Sequence, residues 1–134
     1  MTVVLSLSEG DGMLFNKRRQ SRDRVLIENL MSLIDDKILF ITSFSEKLFE
    51  SYSNVKIIDS PEEVPKEATF FIENLSLDPF KNKIEKMIIY RWNRRYPTDL
   101  YLDTPPNSIG LKLTSTMDFA GHSHEKITRE IYER

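Results

Sequence analysis

At 134 residues, with 40% hydrophobic and 30% charged side chains, the chain has the balance of one folded domain (residues 1–134), neither a disordered nor a membrane-embedded composition. A net charge of −2 gives no general attraction to nucleic acid or membrane, and the absence of cysteine removes disulfides, thiol catalysis and thiolate metal sites together. The longest apolar runs, such as Ile38 to Ile41 and Met87 to Tyr90, are far short of the roughly 20 residues a transmembrane helix needs.

The N-terminus has no basic region before its apolar residues and no small-residue cleavage site, so a cytoplasmic location without membrane contact is expected. The charge is segregated. Residues 17–24 carry a surplus of positive charge (Lys17, Arg18, Arg19, Arg22 and Arg24 against Asp23), as do residues 81–95, and the stretch 56–80 between them is acidic.

In chain order, Thr2 to Ser8 predicts a first strand, closed by the turn Glu9-Gly10-Asp11-Gly12. Those glycines form neither GxGxxG nor GxxxxGK[ST], so no phosphate-cradling loop and no cofactor is expected. A helix is predicted from Ser21, its N-cap, to Asp35, because Val25, Leu26, Leu30, Leu33 and Ile34 recur at helical spacing. The arginines at its entry read as a solvated face or as an anion site. Lys37 to Thr42 has the continuous apolarity of a strand covered on both faces. Ser43 to Glu46 has capping-box spacing and opens a short helix, and Val55 to Ile58 reads as another strand.

Ser60-Pro61-Glu62-Glu63 is a compact helix start, limited to about one turn by Pro65. Thr69 to Leu75 alternates as a strand. Lys86 to Phe119 then alternates in three arms, broken at 94–98 and 105–107, which predicts an antiparallel meander. Ser123 is set to cap a last helical turn or two carrying Ile127, Ile131 and Tyr132. The fold class that follows is α/β with mixed α+β character: a central mixed sheet, parallel with βαβ-like crossovers in its N-terminal half and antiparallel in its C-terminal half.

No reaction motif stands out. His122 and His124 are two residues apart, and ordinary capping or surface roles account for them more simply than a metal site or acid–base chemistry. The pairs Asp35-Asp36 and Glu62-Glu63 read as solvated helix ends. No GxSxG elbow surrounds any serine, and no Ser-His-acid spacing presents itself. The stretch Ile89 to Tyr96 interleaves aromatic and basic residues, which suits single-stranded nucleic acid through Arg91, Trp92, Arg94 and Arg95. The surrounding acids oppose that alternative.

The C-terminal third, Gly110-Leu111-Lys112-Leu113, Asp118-Phe119, Ser123 to Thr128 and the closing Ile131-Tyr132, resembles the tail of immunity proteins from bacterial contact-dependent growth inhibition systems. That resemblance implies a cytoplasmic, non-enzymatic protein that binds a cognate toxin domain, often a ribonuclease, and neutralises it. It brings no binding residues with it. Electrostatics alone places the partner-binding surface at Glu73, Asp99, Tyr101 and Asp103, with Glu62 and Glu63, where acids occlude the basic site of a nuclease.

Overall fold

The computed structural model describes residues 1–134. Its main sheet has seven strands in the order β5-β4-β6-β1-β7-β10-β9, with β1 (Thr2–Leu7), β4 (Leu39–Ile41), β5 (Val55–Ile57), β6 (Thr69–Phe71), β7 (Lys86–Arg91), β9 (Lys112–Phe119) and β10 (Ile127–Glu133). A small second sheet joins β2 (Gly12–Phe15), β3 (Arg18–Arg19) and β8 (Leu100–Tyr101) in the order β3-β2-β8. The expected fold class holds: β5, β4, β6, β1 and β7 run parallel, whereas β10 is antiparallel to both β7 and β9.

Strand β1 lies at the centre because it is apolar on both faces. Val3, Leu5 and Leu7 join one core with Phe70, Ile72, Met87 and Ile89, and Val4 points into the other with Phe71, Ile88 and Tyr90. The second core is covered by the one α-helix, α1 (Arg24–Ile34), which buries Leu26, Ile27, Leu30, Met31 and Ile34. Each such aliphatic side chain contributes about 1.5–3 kcal/mol when removed from water.

Several segments differ from their sequence reading, each for a tertiary reason. The N-cap of α1 is Asp23, whose carboxylate accepts from the Val25 N–H, so the helix starts two residues later than Ser21 would place it. Residues Ser43–Phe49 form a 3₁₀ segment instead of an α-helix. The Ser45 hydroxyl is engaged by Glu73 and the Phe44 carbonyl by Arg19, which ties this turn down sideways. The capping box at Ser60 and Glu63 is formed as read.

The antiparallel half is built by β7, β10 and β9 rather than by successive hairpins, and β8 pairs with β2 outside the main sheet. The segment read as a closing helical turn is strand β10. Inserted between two strands, it satisfies its backbone through ladders on both sides, which outweighs helical spacing at Ile127 and Ile131. No helix is long and apolar enough to cross a membrane.

Candidate active site

Open sheets with parallel strands present functional groups beyond the strand carboxyl ends, where the chain reverses its direction of winding. Here the chain leaves β1 through α1 to reach β4 on one side, and later crosses from β6 to β7 on the other. Three groups converge on that point: Ser21 and Asp23 before α1, Trp92 just after β7, and the turn 121–124 leading into β10.

Asp23 is the anchor. It is 4% exposed, and its oxygens accept from the N–H groups of Val25 (2.9 Å), His122 (2.8 Å) and Ser123 (2.9 Å). Burial alone would raise its pKa. The backbone N–H of His122, the His124 ring and the N–H groups of Ser123 and Val25 overcome that effect and hold the carboxyl well below the usual range. Gly121 permits this approach, because a Cβ there would lie 2.5 Å from the Asp23 Oδ2 and 2.9 Å from the Ile127 Cδ1.

His124, also 4% exposed, places Nδ1 2.8 Å from the Asp23 Oδ2. A carboxylate only accepts, so this contact assigns a ring proton to Nδ1, and in the neutral imidazole Nε2 then carries the lone pair. Nε2 lies 2.9 Å from the Ser21 Oγ and 3.2 Å from the Tyr96 hydroxyl. The ring stacks on Trp92 with centroids 4.6 Å apart and planes 29° apart, which fixes its orientation. Ser21, His124 and Asp23 therefore form a continuous chain from hydroxyl to imidazole to carboxylate. Such an arrangement draws the proton from the hydroxyl as its oxygen attacks.

Ser21 opens onto a hollow of about 400 Å³ shared with Lys17, Arg18, Arg19, Arg22 and Phe44. A larger cleft of about 640 Å³ lies on the other side of Arg22, between α1 and the 3₁₀ segment, with Asp23, His122 and Ser123 in its wall. A recess bounded by Ser6, Phe71, Glu73 and Trp92 is packed down to about 10 Å³. That is no more than one water requires.

The residues singled out from sequence do not form one surface. Glu73 points inward at 6% exposure and accepts a bidentate pair from Arg19 (2.5 and 2.7 Å) and a hydrogen bond from Ser45 (2.6 Å). Asp99 accepts from the Asn16 N–H, and the exposed Tyr101 belongs to β8 of the small sheet, not to a neighbour of β6. Asp103 accepts from the N–H groups of Leu77 and Asp78 and so closes the loop after β6. Glu62 and Glu63 lie in a separate 3₁₀ turn, where Glu63 completes the capping box.

The basic and aromatic stretch Ile89 to Tyr96 fares similarly. Trp92 is buried, and Arg91 is paired with Glu130 at 2.8 Å and Asp11 at 2.5 Å. What sequence reasoning missed is the Ser-His-Asp set. Its members span 103 residues between Ser21 and His124, so no local spacing carried the signal.

Neither the known protein families nor the curated proteins include a match to this sequence. In fold the chain is similar to a dihydrofolate reductase from Enterococcus faecalis, solved in complex with NADP(H) and RAB-propyl. The TM-score is 0.67 at 9% identity, covering 99% of this chain and 95% of that one. At that identity the likeness is one of fold. It overturns the resemblance to immunity proteins and the non-enzymatic, toxin-neutralising role drawn from it, because the chain shares its architecture over nearly its whole length with an enzyme. The nucleic-acid alternative gains no support either, since its aromatic stacking platform is inside the protein.

Proposed function

We propose that the chain is a hydrolase that transfers an acyl group from a small ester to water through Ser21. The observation that carries this reading is the hydrogen-bonded series Ser21 Oγ, His124 Nε2 and Nδ1, Asp23 Oδ2, with contacts of 2.9 and 2.8 Å. The Ser21 oxygen bonds to the ester carbonyl carbon while its proton passes to the His124 Nε2. The carbon–oxygen bond to the alcohol then breaks, and that proton leaves with the alcohol. A water molecule, deprotonated by the same Nε2, attacks the acyl-serine; the departing Ser21 oxygen recovers the proton as the acid is released. Asp23 keeps the imidazole in the required tautomer and faces the positive charge it acquires.

The neighbour's cofactor does not fit these residues. A dinucleotide needs room beyond the strand ends and a pyrophosphate cradle of glycine-rich backbone. Here the stretch Ile72 to Leu77 after β6 has no glycine and brings in the buried carboxylate of Glu73. No hydride-transfer step is assigned.

The test is covalent. A fluorophosphonate probe is expected to label Ser21, located by peptide mass, and p-nitrophenyl acetate hydrolysis is expected to fall at least about 10³-fold in Ser21→Ala with the circular dichroism unchanged. Equal rates for the two proteins, or labelling at another residue, would overturn the assignment.

A further inference from the structure

The hollow into which Ser21 opens is walled by four basic side chains, three of which have no anionic partner. Of its four basic residues only Arg19 is engaged, by Glu73 and by the Phe44 carbonyl. Lys17, Arg18 and Arg22 are exposed and take part in no ion pair or side-chain hydrogen bond. A solvated basic face would scatter such side chains. These three share one concavity with the nucleophile.

The backbone adds an independent observation. Asn16 and Lys17 sit at φ 55° and 62° in the two-residue turn between β2 and β3. Left-handed conformations at both central positions are those of a type I′ hairpin, whose second position favours glycine. A lysine there costs stability and projects a cation beside Arg18. Strain of this kind, retained where a smaller residue would fold better, is a pointer to use.

We infer that the ester hydrolysed at Ser21 carries an anionic group, a carboxylate or a phosphate, held by Lys17, Arg18 and Arg22. The inference rests on the hydrolase reading for its substrate, and on the hollow alone for its anion. Guanidinium groups bind planar oxyanions through paired N–H donors, and a lysine supplies a point charge. The attraction operates in an open, solvated hollow, so salt must weaken it.

Lys17→Gly separates this role from folding, because it removes the cation while relieving the turn. For the hydrolysis arm, we compare p-nitrophenyl hemiglutarate with neutral p-nitrophenyl butyrate. Wild type is expected to favour the anionic ester about tenfold or more in kcat/KM, and the ratio between the two esters is expected to collapse in Lys17→Gly and in Arg22→Gln. For the binding arm, glutarate and inorganic phosphate are titrated calorimetrically into Ser21→Ala at low and high NaCl, which tells the two anions apart.

Binding by Ser21→Ala that is lost in Ser21→Ala/Lys17→Gly, without ester turnover by wild type, would keep the anion site and sink the triad. Turnover with no preference between the esters, together with no anion binding, would overturn the anion site and leave the triad standing.

Discussion

Asp23 accepts four hydrogen bonds with one carboxylate, at 2.8 or 2.9 Å, from α1, from the turn 121–124 and from the ring of His124. The folded protein thus holds this group ionised more firmly than the unfolded chain does, where its pKa is near 3.8. A lowered folded pKa means stability that is fully present above about pH 4 and drains away as the pH falls below it. Chemical denaturation followed from pH 6 to pH 2.5 should show this acid limb, and Asp23→Asn should flatten it. The same substitution leaves buried donors facing an amide and is expected to cost about 3 kcal/mol at neutral pH. An unchanged acid limb in Asp23→Asn would assign the loss to other carboxylates.

Little of this was legible in the residues themselves. Ser21 was read as a cap and His124 as an ordinary surface or capping group, since each role is decided by a partner about a hundred positions away. Lys17 shows the opposite case. The sequence marks it as one charge in a basic run, and only its positive φ reveals a position where lysine costs on the order of 1 kcal/mol relative to glycine.

At the scale of elements, what local chemistry decides was readable and what pairing decides was not. The capping box at Ser60 and Glu63 forms because all its parts lie within four residues. The apolar face of α1 follows its own period. By contrast, Ile127 and Ile131 are spaced for a helix, yet their segment becomes a strand because β7 and β9 offer ladders on both sides.

The turn entering that strand is tightly packed against Asp23. Gly121→Ala would drive a methyl group against the Asp23 carboxylate and Ile127. It is expected to destabilise the fold by about 1–3 kcal/mol and to lower esterase activity even where the protein remains folded. Urea denaturation and kinetics on the same sample check this, and wild-type values for both would show that the turn yields without disturbing the Asp23–His124 contact.

Across the whole molecule, two layers on one sheet bring together segments that no reading along the chain would join. The parallel strands of the N-terminal half were foreseeable from alternating strand and helix signals, whereas their order in the sheet was not. The small β3-β2-β8 sheet was not, because β8 is two residues long and is specified by its contacts with β2. The Arg19–Glu73 pair clamps this sheet to the main one, so the cationic hollow is held by a strand pair outside the main sheet.

The position of β10 between β7 and β9 has a temporal consequence. Residues 127–133, which follow the imidazole directly, pair with two strands at once, one of which starts some forty positions earlier. Contacts so distant along the chain form late and slowly. During refolding, helical and sheet signals should therefore return ahead of Ser21 labelling by the fluorophosphonate probe. A quenched-flow comparison would show whether the hydroxyl stays chemically mute until the last strand is home. Synchronous recovery would instead make the site part of the folding nucleus. If the lag is found, partly folded molecules carry an inert serine, and the proposed hydrolase is switched on only by the completion of its own sheet.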